Sequence, residues 1–201
     1  MIRRLGILGG TFDPIHHGHL VAAEEARHQL QLDRVLFVPA GTPPHKPRQP
    51  ISPIFHRVRM VELAIAGRPY FSLSRVDAER PGPSYTVDTL ELLRAEWGSE
   101  PAFFFIEGAD SLADILTWYQ PHRLLELCDL AVVGRPRVQL DLPHLESLLP
   151  GLTARIHWVH MPRLEISSSD LRARVRDGRP IAYLVPPAVE TYIMDHGLYS
   201  R

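Results

Sequence analysis

The 201-residue sequence has a single cysteine, no apolar run long enough to span a membrane and almost no net charge. One cysteine, Cys128, excludes an intramolecular disulfide, a CxxC redox pair and a multi-cysteine zinc site, and leaves a reducing compartment as the expectation. The apolar run at 102–106 is only strand length, far below the ~20 residues that cross a bilayer. Met1-Ile2-Arg3-Arg4 is basic, but the apolar stretch behind it stops at Gly9-Gly10, so no targeting segment is read and a cytoplasmic location is expected. With 22 Lys plus Arg against 23 Asp plus Glu there is no basic excess, and neither a nucleic acid nor a membrane is expected as partner. Any anion must therefore be met by a few local groups. Nothing in the sequence specifies an oligomeric state.

What is present is ordinary globular composition, 45% hydrophobic and 22% charged, with 11 histidines as the one oddity. A chain of this length suits one domain over 1–201 and buries roughly 70% of its unfolded surface on folding. Short apolar runs at 5–8, 35–38, 71–74, 102–106, 130–133 and 156–159 alternate with stretches of helical spacing at 19–30, 55–66, 86–97, 118–127, 168–176 and 186–195. That alternation predicts an α/β fold, a Rossmann-like doubly wound parallel sheet with helices on both faces. The proline-rich segment 41–50 fits neither element and reads as an exposed loop.

The first predicted strand runs into Gly9-Gly10-Thr11-Phe12-Asp13-Pro14-Ile15-His16-His17-Gly18-His19, where an open α/β sheet keeps its ligand crevice. Neither GxxxxGK[ST] nor GxGxxG is present. The glycines permit close backbone approach, and His16 and His19 flank a Gly18 that opens a helix whose N-terminus favours anions. Such a set suits a polyphosphate whose charge grows in a transition state. A second anion site is suggested by Ile166-Ser167-Ser168-Ser169-Asp170-Leu171-Arg172, where serines stand at a helix start with an arginine behind them; serine caps of this kind are also ordinary surface features.

The two segments together resemble the HxGH and ISSTxxR signatures of the nucleotidyltransferase superfamily, and within it the chain resembles the bacterial nicotinate-nucleotide adenylyltransferases. The likeness extends through Pro43-Pro-His-Lys46, Ser84-Tyr-Thr-Val-Asp-Thr-Leu90, Phe105-Ile-Glu-Gly-Ala-Asp-Ser111, Thr117-Trp-Tyr119, Val132-Val-Gly-Arg-Pro136, Leu184-Val-Pro and Gly197-Leu-Tyr199. The resemblance implies ATP and nicotinate mononucleotide as substrates, deamido-NAD and pyrophosphate as products, and Mg²⁺ with the ATP. It implies a core over 1–165, with a helical part over 166–201 packing back on the nucleotide cleft. It assigns His16, His19 and Arg172 to catalysis at the ATP phosphates. Gly10, Thr11 and Phe12 would line the nucleotide cleft, Gly108 and Asp110 would meet the ribose, and Ser168 with Arg172 the β- and γ-phosphates. Lys46 and Arg135 would take the mononucleotide phosphate, Trp118 would stack on the pyridine ring, and Thr86 with the Tyr119 backbone N–H would face its carboxylate, beside Ser84 and Tyr85. Two positions depart from the pattern: Arg137 stands where the family usually has glycine, and Ser169 where threonine is common.

Plainer readings stand beside these. His16, His17 and His19 with Asp13 have a spacing that could hold zinc, although no fourth ligand is evident. His17 reads as a spacer, Phe103 to Phe105 as buried strand, Trp118 as either core or stacking ring, and Asp110 as either helix cap or ribose ligand. The other histidines are scattered. A phosphopantetheine-type adenylyltransferase, a non-catalytic nucleotide-binding module and a metal-dependent hydrolase remain as alternatives.

Overall fold

The computed structural model describes residues 2–44, 51–134 and 140–200. Within them six strands form one parallel sheet: β1 (Arg4–Gly10), β2 (Arg34–Pro39), β3 (Phe71–Leu73), β4 (Ala102–Gly108), β5 (Asp129–Val133) and β6 (Ile156–Val159), in the spatial order 3-2-1-4-5-6. The helices between them are α1 (His17–Gln29), α2 (Ile54–Ile65), α3 (Thr86–Trp97), α4 (Ala109–Ala113), α5 (Pro121–Leu127), α6 (Leu142–Leu148), α7 (Leu152–Arg155), α8 (Ser168–Arg176) and α9 (Pro187–Asp195).

The strands read as continuous apolar runs because both sheet faces are covered. In β4, Phe103 and Phe105 point to one side, where Leu90, Leu93, Leu112 and Leu124 of α3, α4 and α5 pack with them. Phe104 and Ile106 point to the other, against Ala23 and Ala26 of α1, Val61 of α2, Leu171 of α8 and Ile193 of α9. Each of these four strand side chains is under a tenth exposed, and each such burial contributes about 1.5–3 kcal/mol. Residues beyond 166 thus share a core with the first helix.

The expected α/β architecture is present, with differences at element ends. The first helix begins at His17, not at 19, because His16 is its cap: the His19 Nδ1 accepts the His16 backbone N–H at 3.2 Å. The helix expected over 118–127 begins at Pro121, since Gln120 adopts φ 50 and a three-residue 3₁₀ turn ends at Thr117. Helices α4, α6 and α7 were not expected; at five, seven and four residues they are too short to show a period.

The order 3-2-1-4-5-6 reverses direction between β1 and β4. A doubly wound sheet opens a crevice there, outside the carboxyl ends of those two strands. Gly9-Gly10 and Gly108 are the residues at those ends.

Candidate active site

From Gly10 the chain turns through Thr11 and Phe12, the latter at φ 50, and enters α1 at His16. Phe12 is 1% exposed, and its ring meets the His19 ring edge-on at 5.1 Å. Its ring is therefore core that packs against His19, which leaves only its backbone to face the crevice. A Cβ on Gly10 would lie 3.0 Å from that ring, which explains the second glycine. His16 stacks on His19 at 3.7 Å, and a Cβ on Gly18 would come within 3.0 Å of the His16 Nδ1. Burial holds the His16 pKa down to about 4, with the neighbouring His17 adding to the effect, so the ring is a neutral donor or acceptor at pH 7. Its Nδ1 has no hydrogen-bond partner among the described residues. In His19 the hydrogen bond to Nδ1 fixes the tautomer and leaves the proton on Nε2.

The loop between Gly10 and His16 is held from far along the chain. The Arg172 Nη1 donates to the Asp13 carbonyl at 2.7 Å, and the Ser168 hydroxyl to the Pro14 carbonyl at 3.0 Å. Tyr199 donates its hydroxyl to the Asp13 Oδ1 at 2.7 Å, and the Ser52 N–H reaches Oδ2 at 3.2 Å. Burial and the Asp13 charge raise the Tyr199 pKa, so that hydroxyl remains a donor. Ser167 is the cap of α8, accepting from the Asp170 N–H at 3.1 Å, which brings the first turn of that helix against the loop. Because the Ser168 proton is committed to Pro14, that residue can offer an anion its backbone N–H at the helix start.

Beside the glycine loop lies a cavity of about 190 Å³, walled by Gly10, Thr11, Ala40, Pro43, Thr86 and Trp118, with Gly9, Val38, Pro44, Asp77, Ser84, Tyr85, Thr89, Phe105 and Tyr119 completing it. Tyr85 stacks on Tyr119 at 4.5 Å, and Trp118 meets the Phe105 ring edge-on at 5.9 Å. Phe105 is buried strand as expected, yet its ring also forms part of the cavity wall. Thr86 is the first residue of α3. The walls are thus flat rings and a helix start, suited to a planar anionic group.

The structure brings Gly10, Thr11, Ser84, Tyr85, Thr86, Trp118 and Tyr119 to one cavity, and His16, His19, Ser168 and Arg172 to the loop next to it. Gly108 caps α4 and Asp110 sits exposed in its first turn without a capping bond. Lys46, Arg135 and Arg137 lie outside the described residues. Among the described residues no three His, Cys, Asp or Glu side chains gather to hold a metal, and no helix is long and apolar enough to cross a membrane.

Sequence reasoning missed three contributors. Asp77, 4% exposed, lines the cavity and accepts from the Thr89 hydroxyl at 2.7 Å and the Arg80 Nε at 2.8 Å. Glu107, 6% exposed at the end of β4, meets no donor at either carboxyl oxygen among the described residues; burial pushes its pKa up to about 8. Arg57 is buried behind the glycine loop.

At its switch point this parallel sheet carries a glycine turn, paired imidazoles and a second helix N-terminus, the arrangement of an α/β phosphate-binding protein. Residues 7–174 match the cytidylyltransferase-like family. The chain is 53% identical to the probable nicotinate-nucleotide adenylyltransferase of Thermomicrobium roseum, covering 98% of this chain and 91% of that protein. It is 47% identical to the Thermus thermophilus protein of the same description, covering 98% and 99%. In three dimensions it is similar to Plasmodium falciparum nicotinic acid mononucleotide adenylyltransferase complexed with NaAD, with TM-score 0.79, 21% identity and coverage of 98% and 97%. The chain belongs to the nicotinate-nucleotide adenylyltransferase family.

Proposed function

We propose that this crevice transfers AMP from ATP to nicotinate mononucleotide, the adenylyl transfer that family membership carries into NAD biosynthesis. A phosphate oxygen of the mononucleotide attacks the α-phosphorus of ATP, the bond from that phosphorus to the bridging oxygen breaks, and pyrophosphate leaves with the electron pair. The attacking phosphate is already anionic at pH 7, so no side chain has to remove a proton. What the protein must supply is alignment and neutralisation of charge on the α-phosphate and leaving group.

In this reading the Gly10–Thr11–Phe12 backbone, the Nε2–H of His19 and neutral His16 face the ATP phosphates. The first turn of α8 and the Arg172 guanidinium take the β- and γ-phosphates, and Gly108 and Asp110 take the adenosine ribose. Lys46 and Arg135 are assigned to the mononucleotide phosphate by resemblance alone. The pyridine ring stacks on Trp118, and Thr86 with the Tyr119 N–H donates to its carboxylate, next to Ser84 and Tyr85. Donors arranged for a carboxylate meet an NH₂ when the amide analogue enters, and each buried group left unmatched costs about 1–3 kcal/mol.

The ATP is taken as its Mg²⁺ complex, in which the ion screens the phosphate charge. No side chain of this chain is assigned to the ion in this reading; Mg²⁺ would keep most of its waters and be held through phosphate oxygens. Residues 166–201 act in this reading as part of one unit with 1–165, in the cytoplasm. The observation that carries the reading is the cavity with Thr86, Trp118 and Tyr119 in its wall, opening directly on Gly10 and Thr11. The test is pyrophosphate release from Mg²⁺–ATP with nicotinate mononucleotide, nicotinamide mononucleotide and phosphopantetheine offered separately. The nicotinate acceptor is expected to react fastest, and a preference for phosphopantetheine overturns the assignment.

A further inference from the structure

Arg57 is the largest fully buried side chain of the molecule's described part, 2% exposed, and among the described residues its hydrogen bonds go to backbone carbonyls rather than to a carboxylate. Its guanidinium is met instead by backbone carbonyls of three separate segments. Nη1 donates to Thr11 at 2.9 Å and to Ala40 at 2.7 Å, Nη2 to Gly41 at 3.1 Å, and Nε to Ser52 at 2.9 Å. Burial lowers its pKa, while the nearby Asp13 and Tyr199 oppose that effect, and the side chain stays charged. A buried cation whose hydrogen bonds all go to backbone carbonyls is a costly way to stabilise a core, since an apolar side chain of similar volume usually serves as well or better.

The carbonyls it gathers belong to both walls of the site. Thr11 ends the glycine loop that the proposed reading gives to ATP; Ala40 and Gly41 lead into Pro43 and Pro44, on the acceptor side of the cavity. The two walls are also joined by the Ala40 N–H, which donates to the Gly10 carbonyl at 2.9 Å. Gly41 approaches so closely that a Cβ would sit 2.4 Å from the Asp77 carbonyl oxygen, so this segment has no slack. A planar fork with several donors can hold carbonyls from separate segments in one geometry; an ammonium, a point charge on a flexible stem, has no such fork.

We propose that Arg57 is a positioning residue for the adenylyl transfer, fixing the separation between the ATP loop and the acceptor wall without touching either substrate. The inference rests on the proposed assignment of those two walls. Where catalysis is alignment, displacement of one wall by about 1 Å costs on the order of 100-fold in rate while each substrate still binds its own wall.

The test uses Arg57→Lys, Gly41→Ala and the double variant, with turnover, both KM values and amide hydrogen exchange measured. Arg57→Lys is expected to lower kcat by about 10- to 100-fold with each KM changed less than about threefold, and to speed amide exchange in residues 10–13 and 40–42 together. Gly41→Ala forces the Gly41 backbone and the Asp77 carbonyl apart and so disturbs the Gly41 carbonyl's bond to Arg57, and the losses of the two variants are expected to be less than multiplicative in the double variant. A loss confined to one KM, multiplicative losses, or unchanged exchange in residues 10–13 overturns the proposal. If Arg57→Lys does not fold, Gly41→Ala decides through exchange at Ser52, which Arg57 joins to Gly41 and the Ala40–Gly10 hydrogen bond does not reach: it rises if Arg57 links the segments and is unchanged if it does not. A wild-type protein inactive with every acceptor refutes the reaction assignment, and the exchange measurements still decide the role of Arg57.

Discussion

Glu107 offers the sharpest test of the energetics around the crevice. Its carboxyl is buried at the end of β4 with no donor at either oxygen, and its pKa is raised from 4.5 to about 8. The unfolded chain ionises this group near pH 4.5 while the folded protein holds its proton to about pH 8, so the folded state binds more protons between those values. Stability from this group is complete below the unfolded pKa and is lost as pH rises, at about 1.4 kcal/mol per pH unit, levelling off above the folded pKa. Glu107→Gln replaces the neutral acid with a neutral amide of the same shape and removes that dependence. Whatever the buried amide itself costs is independent of pH, so the wild-type-to-variant difference isolates the titration. Between about pH 5.5 and 8.5 the difference is expected to widen in the variant's favour by about 3 kcal/mol. In urea unfolding, with a slope of about 2 kcal/mol/M, that is a relative shift of about 1.5 M in midpoint. Parallel stability–pH curves for the two proteins would refute the reasoning, because they would mean that Glu107 is ionised in both states or finds a partner on folding. Turnover of the variant at neutral pH is expected to match wild type, since the acid is already uncharged there.

His19→Ala is expected to lower turnover by about 10²- to 10³-fold, the usual loss for one preorganised donor, with a smaller change in the KM for ATP; near-normal steady-state turnover removes His19 from the chemistry. Trp118→Ala is expected to raise the KM for nicotinate mononucleotide far more than that for ATP, because stacking acts on one substrate; equal losses mark Trp118 as core. Gly18→Ala places a methyl 3.0 Å from the His16 Nδ1 in the first turn of α1. Alanine is favoured over glycine in a helix by up to about 1 kcal/mol, so thermal stability is expected to hold while turnover falls at least about tenfold as the stacked imidazoles shift. Unchanged turnover would show that the spacing of His16 and His19 is not critical.

The sheet was legible in the sequence because strands buried on both faces carry unbroken apolar runs, as at Phe103 to Ile106. Helix ends were less so. His16 gives no conventional capping signal, and its role depends on a reciprocal contact from His19. Trp118-Tyr119-Gln120 carries enough apolar surface to read as helix, and only Pro121 marks the true start. The glycine-histidine and serine segments read as candidate anion sites because their chemistry is local, and the structure brings the two together through Ser168 and Arg172. Arg57 was not, since along the chain it is one polar residue in an amphipathic helix. Its meaning arises from loops at Thr11, Ala40 and Ser52 that meet only in three dimensions. Glu107 was hidden for the complementary reason: a carboxylate in a motif looks like a ligand-binding group until its surroundings prove apolar.

The ties on the Asp13–Pro14 segment span 154, 159 and 186 positions of sequence, to Ser168, Arg172 and Tyr199. In folding terms this segment cannot be finished locally, since the entropy of closing those loops must be met before its contacts form. Order in the Asp13–Pro14 segment is therefore coupled to docking of α8 and of the segment after α9. If the C-terminal helices open locally, Asp13 and Pro14 lose these three partners. By linkage, any nucleotide bound at the ordered loop stabilises the C-terminal helices against opening, by an amount set by its concentration relative to its Kd.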